Sequence, residues 1–151
     1  MYSTLFSVII PAYNASRFIR NTLDSVRNQT FDDYEIVVVN DGSKDDTLEV
    51  VKAYFIDFSG LNYKIIDQEN RGIGGARNSC IKEAHGKFIA FLDADDSWYS
   101  KKLERVKEFI DKNINVAGQI ILHMLSNGEL MGTRGLKNIL ILNWLLQNTN
   151  N

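Results

Sequence analysis

Apolar positions in this chain fall into short continuous runs that alternate with helical stripes. Residues 5–10 are apolar except for Ser7, which predicts a first strand ended by Pro11, a residue that cannot donate to a ladder. Phe18, Ile19, Leu23 and Val26 then form one stripe of a helix, with Asn14 or Ser16 as candidate caps. Tyr34-Glu35-Ile36-Val37-Val38-Val39 is rich in β-branched residues and predicts a second, central strand. Leu48, Val51, Tyr54 and Phe55 mark a second helix, capped by Ser43 or Asp45 and followed by Gly60. Residues 63–66 predict a short third strand. Asn70-Arg71-Gly72-Ile73-Gly74-Gly75 predicts a glycine-rich loop, and residues 76–85 a helix with Gly86 as its C-terminal cap. Residues 87–92 form the fourth strand. A last helix carries Leu103, Val106, Phe109 and Ile110, with Ser100 as its cap. Such a βαβαβαβα alternation specifies an α/β fold, a mostly parallel sheet with helices on both faces.

Beyond about residue 116 the pattern changes. Residues 118–125 read as a strand, Asn127-Gly128 as a hairpin turn, and residues 129–133 as the return strand. Leu136, Ile139, Leu140, Ile141, Leu142, Trp144, Leu145 and Leu146 make the segment 136–146 apolar almost all round. A helix with no polar face must be buried. The sheet, a second copy of the chain or a membrane surface can cover it, with a homodimer as the expected outcome. Eleven residues are too few to span a bilayer. The chain therefore divides into a core, residues 1–115, and a second region, residues 116–151.

Composition adds limits rather than detail. At 151 residues the chain is one domain or a large part of one. A formal net charge of −2 argues against nucleic acid as a partner. A single cysteine excludes an internal disulfide and fits a reducing, cytoplasmic compartment. Cys80 shares a helical pattern with Ala76 and Ala84 and is expected in the core. The polar start Met1-Tyr2-Ser3-Thr4 lacks the pattern of a signal peptide.

The candidate chemistry follows the strands. Pro11, Tyr13 and Asn14 come after the first, Asp41 after the second, Arg71 and its glycines after the third, and Asp93, Asp95 and Asp96 after the fourth. In a parallel sheet these four loops share one edge, where open α/β sheets hold their ligands. Two carboxylates about 4 Å apart repel by roughly 4 kcal/mol at an effective dielectric of about 20. Protonation of one of them or a cation relieves that repulsion, and hard oxygen ligands suit Mg2+ or Mn2+. The other reading of these acids is a loop that caps the following helix. The set fits a nucleoside diphosphate. A metal held by the acids would neutralise the diphosphate. Backbone N–H groups at Gly72, Gly74 and Gly75 would approach an anion. Arg71 and Arg77 would add charge-assisted hydrogen bonds. Asp41 can accept an N–H from a base, and Tyr13 can pack on its ring. Gly72-Ile73-Gly74 is a weak dinucleotide-binding signal, because it follows the third strand and lacks the third glycine. His85 and His123 are too far apart to argue for zinc, and no arrangement suggests a hydrolase.

Taken in order, these motifs resemble the family 2 glycosyltransferases, which have the GT-A fold. The resemblance rests on Ser7-Val8-Ile9-Ile10-Pro11-Ala12-Tyr13-Asn14, on Leu23-Asp24-Ser25-Val26-Arg27-Asn28-Gln29-Thr30-Phe31, and on Glu35-Ile36-Val37-Val38-Val39-Asn40-Asp41-Gly42-Ser43. It continues through Asn70-Arg71-Gly72, Ala76-Arg77-Asn78 and Phe91-Leu92-Asp93-Ala94-Asp95-Asp96. It implies inverting transfer of a sugar from a nucleotide-sugar, usually a UDP-sugar, to a saccharide or lipid-linked acceptor, assisted by Mn2+ or Mg2+. It implies that Ala12, Tyr13 and Asp41 hold the base, that Asp93 lies near the ribose and that Asp95 binds the metal. Pro11, Asn14, Arg71 and Arg77 would border the nucleotide. Asn40 stands where the family often has a second acid. The family also needs an acceptor-binding half and a catalytic base downstream of the acids. After Asp111 the one carboxylate is Glu129, so no base is identified. The expectation is a chain cut short on its acceptor side, or a nucleotide-binding module without turnover on the same scaffold.

Overall fold

The computed structural model describes residues 4–112. The expected strand and hairpin at 118–133, His123, Glu129, the apolar segment 136–146 and the second region 116–151 lie outside the described residues. The element order is β1 Thr4–Ala12, α1 Ile19–Arg27, β2 Tyr34–Asp41, α2 Thr47–Asp57, β3 Tyr63–Gln68, α3 Gly72–Glu83, β4 Gly86–Phe91 and α4 Lys102–Lys112.

Four parallel strands form one sheet in the order β3-β2-β1-β4. The two inner strands are the most continuously apolar, because both of their faces are covered. Phe6, Val8, Ile10, Ile36, Val38, Phe88 and Ala90 face α1, α2 and α4, packing on Leu23, Val26, Val51, Phe55, Leu103 and Val106. Ile9, Val37, Val39, Ile89 and Phe91 face α3, packing on Ala76, Cys80 and Ile81. Helices thus cover both faces, as the alternation predicts. Cys80 is fully buried, and burial pushes its thiol up to about 12, so it is a core residue rather than a nucleophile.

Several boundaries differ from the sequence expectation. β1 runs through Pro11 to Ala12, with Pro11 paired to Val39. Leu92 N–H donates to the Ile9 carbonyl at 3.1 Å, so alternate residues of β1 point their backbone groups at β4. The β1–β4 register ends at Ile9 and Phe91, so the missing Pro11 N–H faces a place where the ladder has stopped. The glycine-rich loop is instead the first turn of α3, which begins at Gly72 with φ +72°. Gly86 is the first residue of β4 and does not cap α3, whose C-cap is Ala84. β3 extends two residues further than expected, to Gln68. Ser100 is displaced as the α4 cap by Gln29, whose Oε1 accepts the Leu103 N–H at 3.0 Å.

At the edge where the strands begin, Glu35 is buried and one of its oxygens, Oε1, gathers three donors. They are Ser7 Oγ at 2.5 Å, the His85 N–H at 2.5 Å and the Gly86 N–H at 3.1 Å. Gly86 N–H also donates to Ser7 Oγ at 2.8 Å. This knot joins β1, β2 and β4 away from the functional edge.

Candidate functional site

The opposite edge, where the strands end, carries the residues singled out from sequence. Pro11, Tyr13, Asn14, Arg77, Asp93 and Asp95 line one cavity of about 330 Å³, together with Ala15, Phe18, Ile73 and Ala94. Ala12, Asp41 and Arg71 are not among its lining residues. Tyr13 and Phe18 are each half exposed, and Ile73 is 57 % exposed, whereas Pro11, Ala15 and Ala94 are buried.

Asn14 does not cap α1; the helix starts after Phe18 without a side-chain cap. Its backbone adopts φ +50°, a conformation that asparagine tolerates better than most residues. In that pose its N–H donates to Ser43 Oγ at 3.0 Å, and its Oδ1 accepts the Lys44 N–H at 2.8 Å. The loop after β1 is thereby tied to the loop after β2. Asp45 completes the tie. Its Oδ2 accepts the Ser16 N–H at 3.1 Å, while Oδ1 accepts the Thr47 hydroxyl and N–H at 2.5 and 3.1 Å. Thr47 Oγ1 in turn accepts the Ala15 N–H at 2.8 Å.

Burial pushes the Asp45 carboxyl up, but hydrogen bonds from Thr47 and Ser16 outweigh it and hold the group at about 2. The folded value lies below the ordinary carboxylate value, so its stabilising effect is complete above about pH 4 and is lost as the pH falls toward 2. We expect the Ser16 and Thr47 amides to lose hydrogen-exchange protection across that window, ahead of the Val37 and Ile9 amides. Simultaneous loss at all four would show that Asp45 does not secure this loop.

Asp41 ends β2 and is 2 % exposed. Its Oδ1 accepts Gln68 Nε2 at 2.6 Å and the Arg71 N–H at 2.9 Å. Its carbonyl accepts Asn70 Nδ2 at 3.0 Å. Oδ2 makes no hydrogen bond among the described residues. Gly42 permits this crossing with φ +68°, and a Cβ there would sit 2.7 Å from Asn70 N. Arg71 contributes its backbone N–H to this set. Gly75 leaves room for the Arg71 stem, since a Cβ at that position would meet Arg71 Cβ at 2.5 Å.

The three acids after β4 separate. Asp93 Oδ1 pairs with Arg77 Nη2 at 3.0 Å, each side chain roughly two-fifths exposed. Asp96 is exposed and forms no ion pair within 4 Å among the described residues; burial lowers the Lys102 ammonium and the Asp96 charge offsets part of that. Asp95 is exposed at the cavity and has no ion pair or hydrogen bond among the described residues. No three metal-capable side chains cluster among the described residues. The donor set fits a cation held by one or two carboxylates and completed by phosphate oxygens and water, which is how Mg2+ is usually bound. Among the described residues Arg77 Nε is buried without a hydrogen-bond partner beside this set.

Sequence reasoning missed Gln68, Asn70, Ser43 and Asp45 as parts of the site. Only the strand register reveals Gln68, which sits opposite Asp41.

The sequence profile of the family described as Glycosyl transferase family 2 matches residues 7–150. The chain is 40 % identical over 110 residues to the UDP-Glc:alpha-D-GlcNAc-diphosphoundecaprenol beta-1,3-glucosyltransferase WfgD of Escherichia coli, covering 72 % of this chain and 42 % of WfgD. Among solved structures it resembles S. aureus TarS 1-349 in complex with UDP-GlcNAc, with TM-score 0.66 and 38 % identity over 72 % of this chain and 32 % of that one. It also resembles the mannosyltransferase PcManGT from Pyrobaculum calidifontis in complex with GDP-Man and Mn2+, with TM-score 0.61 and 31 % identity over 65 % and 29 %. The chain spans less than half the length of the curated relatives it matches.

Proposed function

The chain belongs to glycosyl transferase family 2, and from that premise we propose that it binds a nucleotide-sugar, a UDP-sugar with a divalent cation, for transfer of the sugar to a saccharide or lipid-linked acceptor. The observation that carries this reading is the convergence of Tyr13, Arg77, Asp93 and Asp95 on one cavity at the strand-end edge. An aromatic ring, a guanidinium and two carboxylates are what a base, a diphosphate and its metal need. TarS, with which this chain shares more identity than with PcManGT, is described with UDP and UDP-GlcNAc.

In this reading Ala12, Tyr13 and Asp41 hold the base, with Pro11 and Asn14 shaping the loop beneath it. Asp93 lies near the ribose. Asp95 holds Mn2+ or Mg2+, and Arg77 and the start of α3 border the diphosphate. The cation, when bound, would neutralise the diphosphate and so ease its departure. Residues 1–115 are the donor-binding core and residues 116–151 belong to the acceptor side. No described helix is long and apolar enough to cross a membrane. The resemblance and the single buried thiol favour a cytoplasmic setting.

The test is titration calorimetry with UDP in Mn2+, in Mg2+ and in chelator. Affinity is expected to rise at least about tenfold with metal, the scale of one charge-assisted contact. Asp95→Ala should remove that increment and leave the metal-free affinity unchanged. Equal affinity with and without metal would sink the role given to Asp95. Absence of UDP binding in every condition would sink the reading itself.

A further inference from the structure

β2 and β3 end in two cross-strand rungs of opposite sense. In the first, Asn40 on β2 donates through Nδ2 to Asp67 Oδ1 on β3 at 2.7 Å. In the second, the amide is on β3 and the carboxylate on β2, with Gln68 Nε2 donating to Asp41 Oδ1 at 2.6 Å. The alternation keeps two like charges from facing each other across the strands, which would be destabilising. It also does something particular at Asp41. A carboxylate oxygen that already accepts Gln68 and the Arg71 N–H has little capacity left. The carboxylate is held at one end, and only the other oxygen remains.

We infer that Gln68 is a positioning residue for the nucleotide: with the Arg71 N–H it occupies Asp41 Oδ1 and leaves Oδ2 as the single acceptor offered to the imide N–H of uracil. This rests on the proposed role of Asp41 as the base contact. A carboxylate free to rotate would present either oxygen at any angle, and preorganised acceptors recognise an N–H better than mobile ones. Gln68 is half-buried on an edge strand, so its replacement need not disturb the core.

Two variants of the full 151-residue chain test this, with UDP and ADP as probes at fixed Mg2+. Gln68→Leu keeps the bulk and removes the donor. Its UDP affinity is expected to fall about tenfold, and its preference for UDP over ADP to narrow by a similar factor. Gln68→Glu is close in shape and gives a donor only when a proton is shared between the two carboxyl groups. Neighbouring like charge holds that proton above the ordinary carboxylate range. The ratio of variant to parent dissociation constants is therefore expected near one at about pH 5 and near ten at about pH 8, where both groups ionise and repel. The other charged groups around this rung are Asp67 and Glu69, and Lys44, Asp45, Asp46 and Glu49 across the neighbouring cavity, with Arg71 at the start of α3. All are common to parent and variant, so their titration cancels in the ratio. A merely structural tie between strands would change melting temperature without producing this pH-dependent ratio. Parental affinity and preference in Gln68→Leu, or a flat ratio in Gln68→Glu, would overturn the inference while UDP binding by the parent stands. A parent that does not bind UDP would overturn the donor reading and this inference together.

Discussion

Replacing Asp41 with asparagine is expected to move base preference from UDP toward CDP, and replacing it with alanine to abolish preference. The argument rests on where donors already sit. Gln68 Nε2 and the Arg71 N–H both point at Oδ1. In Asp41→Asn the carbonyl oxygen must take that place, because an amide NH2 there would face two donors. The NH2 then occupies the position of Oδ2 and offers a donor where the parent offers an acceptor. Uracil presents an N–H at N3 and cytosine a lone pair, so the contact is broken for one base and made for the other. A site built for a hydrogen bond rejects a ligand that cannot make it by leaving buried polar groups unpaired. Hydrogen bonds to charged groups are worth roughly 1.5–3 kcal/mol, so UDP affinity should fall by between about tenfold and a hundredfold in both variants. Calorimetry with UDP, CDP and ADP reads the result. Unchanged ranking of the three nucleotides in Asp41→Asn would mean that the base is selected elsewhere, with Tyr13 the first candidate. Alanine also strips the acceptor from the Arg71 N–H, so its measurements belong well below its own Tm.

Gly86→Ala should cost on the order of 3 kcal/mol of stability, the upper end of the usual range for forced overpacking. A Cβ at Gly86 would lie 2.5 Å from Ser7 N, 2.6 Å from Phe6 carbonyl carbon and 2.7 Å from Ser7 Oγ. Two of those atoms are backbone of β1, the strand paired on both sides, and cannot swing away as a side-chain tip can. Relief would require β4 to part from β1. That movement would pull the Gly86 and His85 N–H groups from the buried Glu35 carboxylate, so steric and polar losses add. A drop in Tm of more than about 10 °C follows for a domain of this size. Gly60→Ala is the control, since nothing lies within 4 Å of a Cβ there, and it should leave Tm within about 2 °C. Equal Tm values for the two variants would show that the close approach of β4 to β1 is not what holds this edge.

The loop pairings explain why some of the site was legible in the sequence and some was not. Asp93 and Asp95 stand out because an apolar strand delivers them to a parallel-sheet edge, and periodicity is a local property. Arg77 was legible as a cation near a glycine-rich helix start. Its partner Asp93 lies sixteen residues on, across the strand β4. The Asn14 side chain suits a helix cap and a tie to a neighbouring loop equally well, and the partner that decides between these, Lys44, is thirty residues away.

By itself the sequence determined the alternation of strands and helices, the burial of Cys80, and the delivery of Pro11, Tyr13, Asp41, Arg77, Asp93 and Asp95 to one edge. Each follows from hydrophobic period and from the rule that parallel strands end on the same side. Only the tertiary structure decided that β1 lies between β2 and β4, that of the acids after β4 Asp93 pairs with Arg77 while Asp95 and Asp96 stay exposed, and that Gln68 and the Arg71 N–H hold Asp41. Those outcomes depend on how segments sixteen to about eighty residues apart come together. A shift of one residue in β3 would replace Gln68 opposite Asp41 with Asp67 or Glu69, and no local pattern in β3 specifies which of the three it must be.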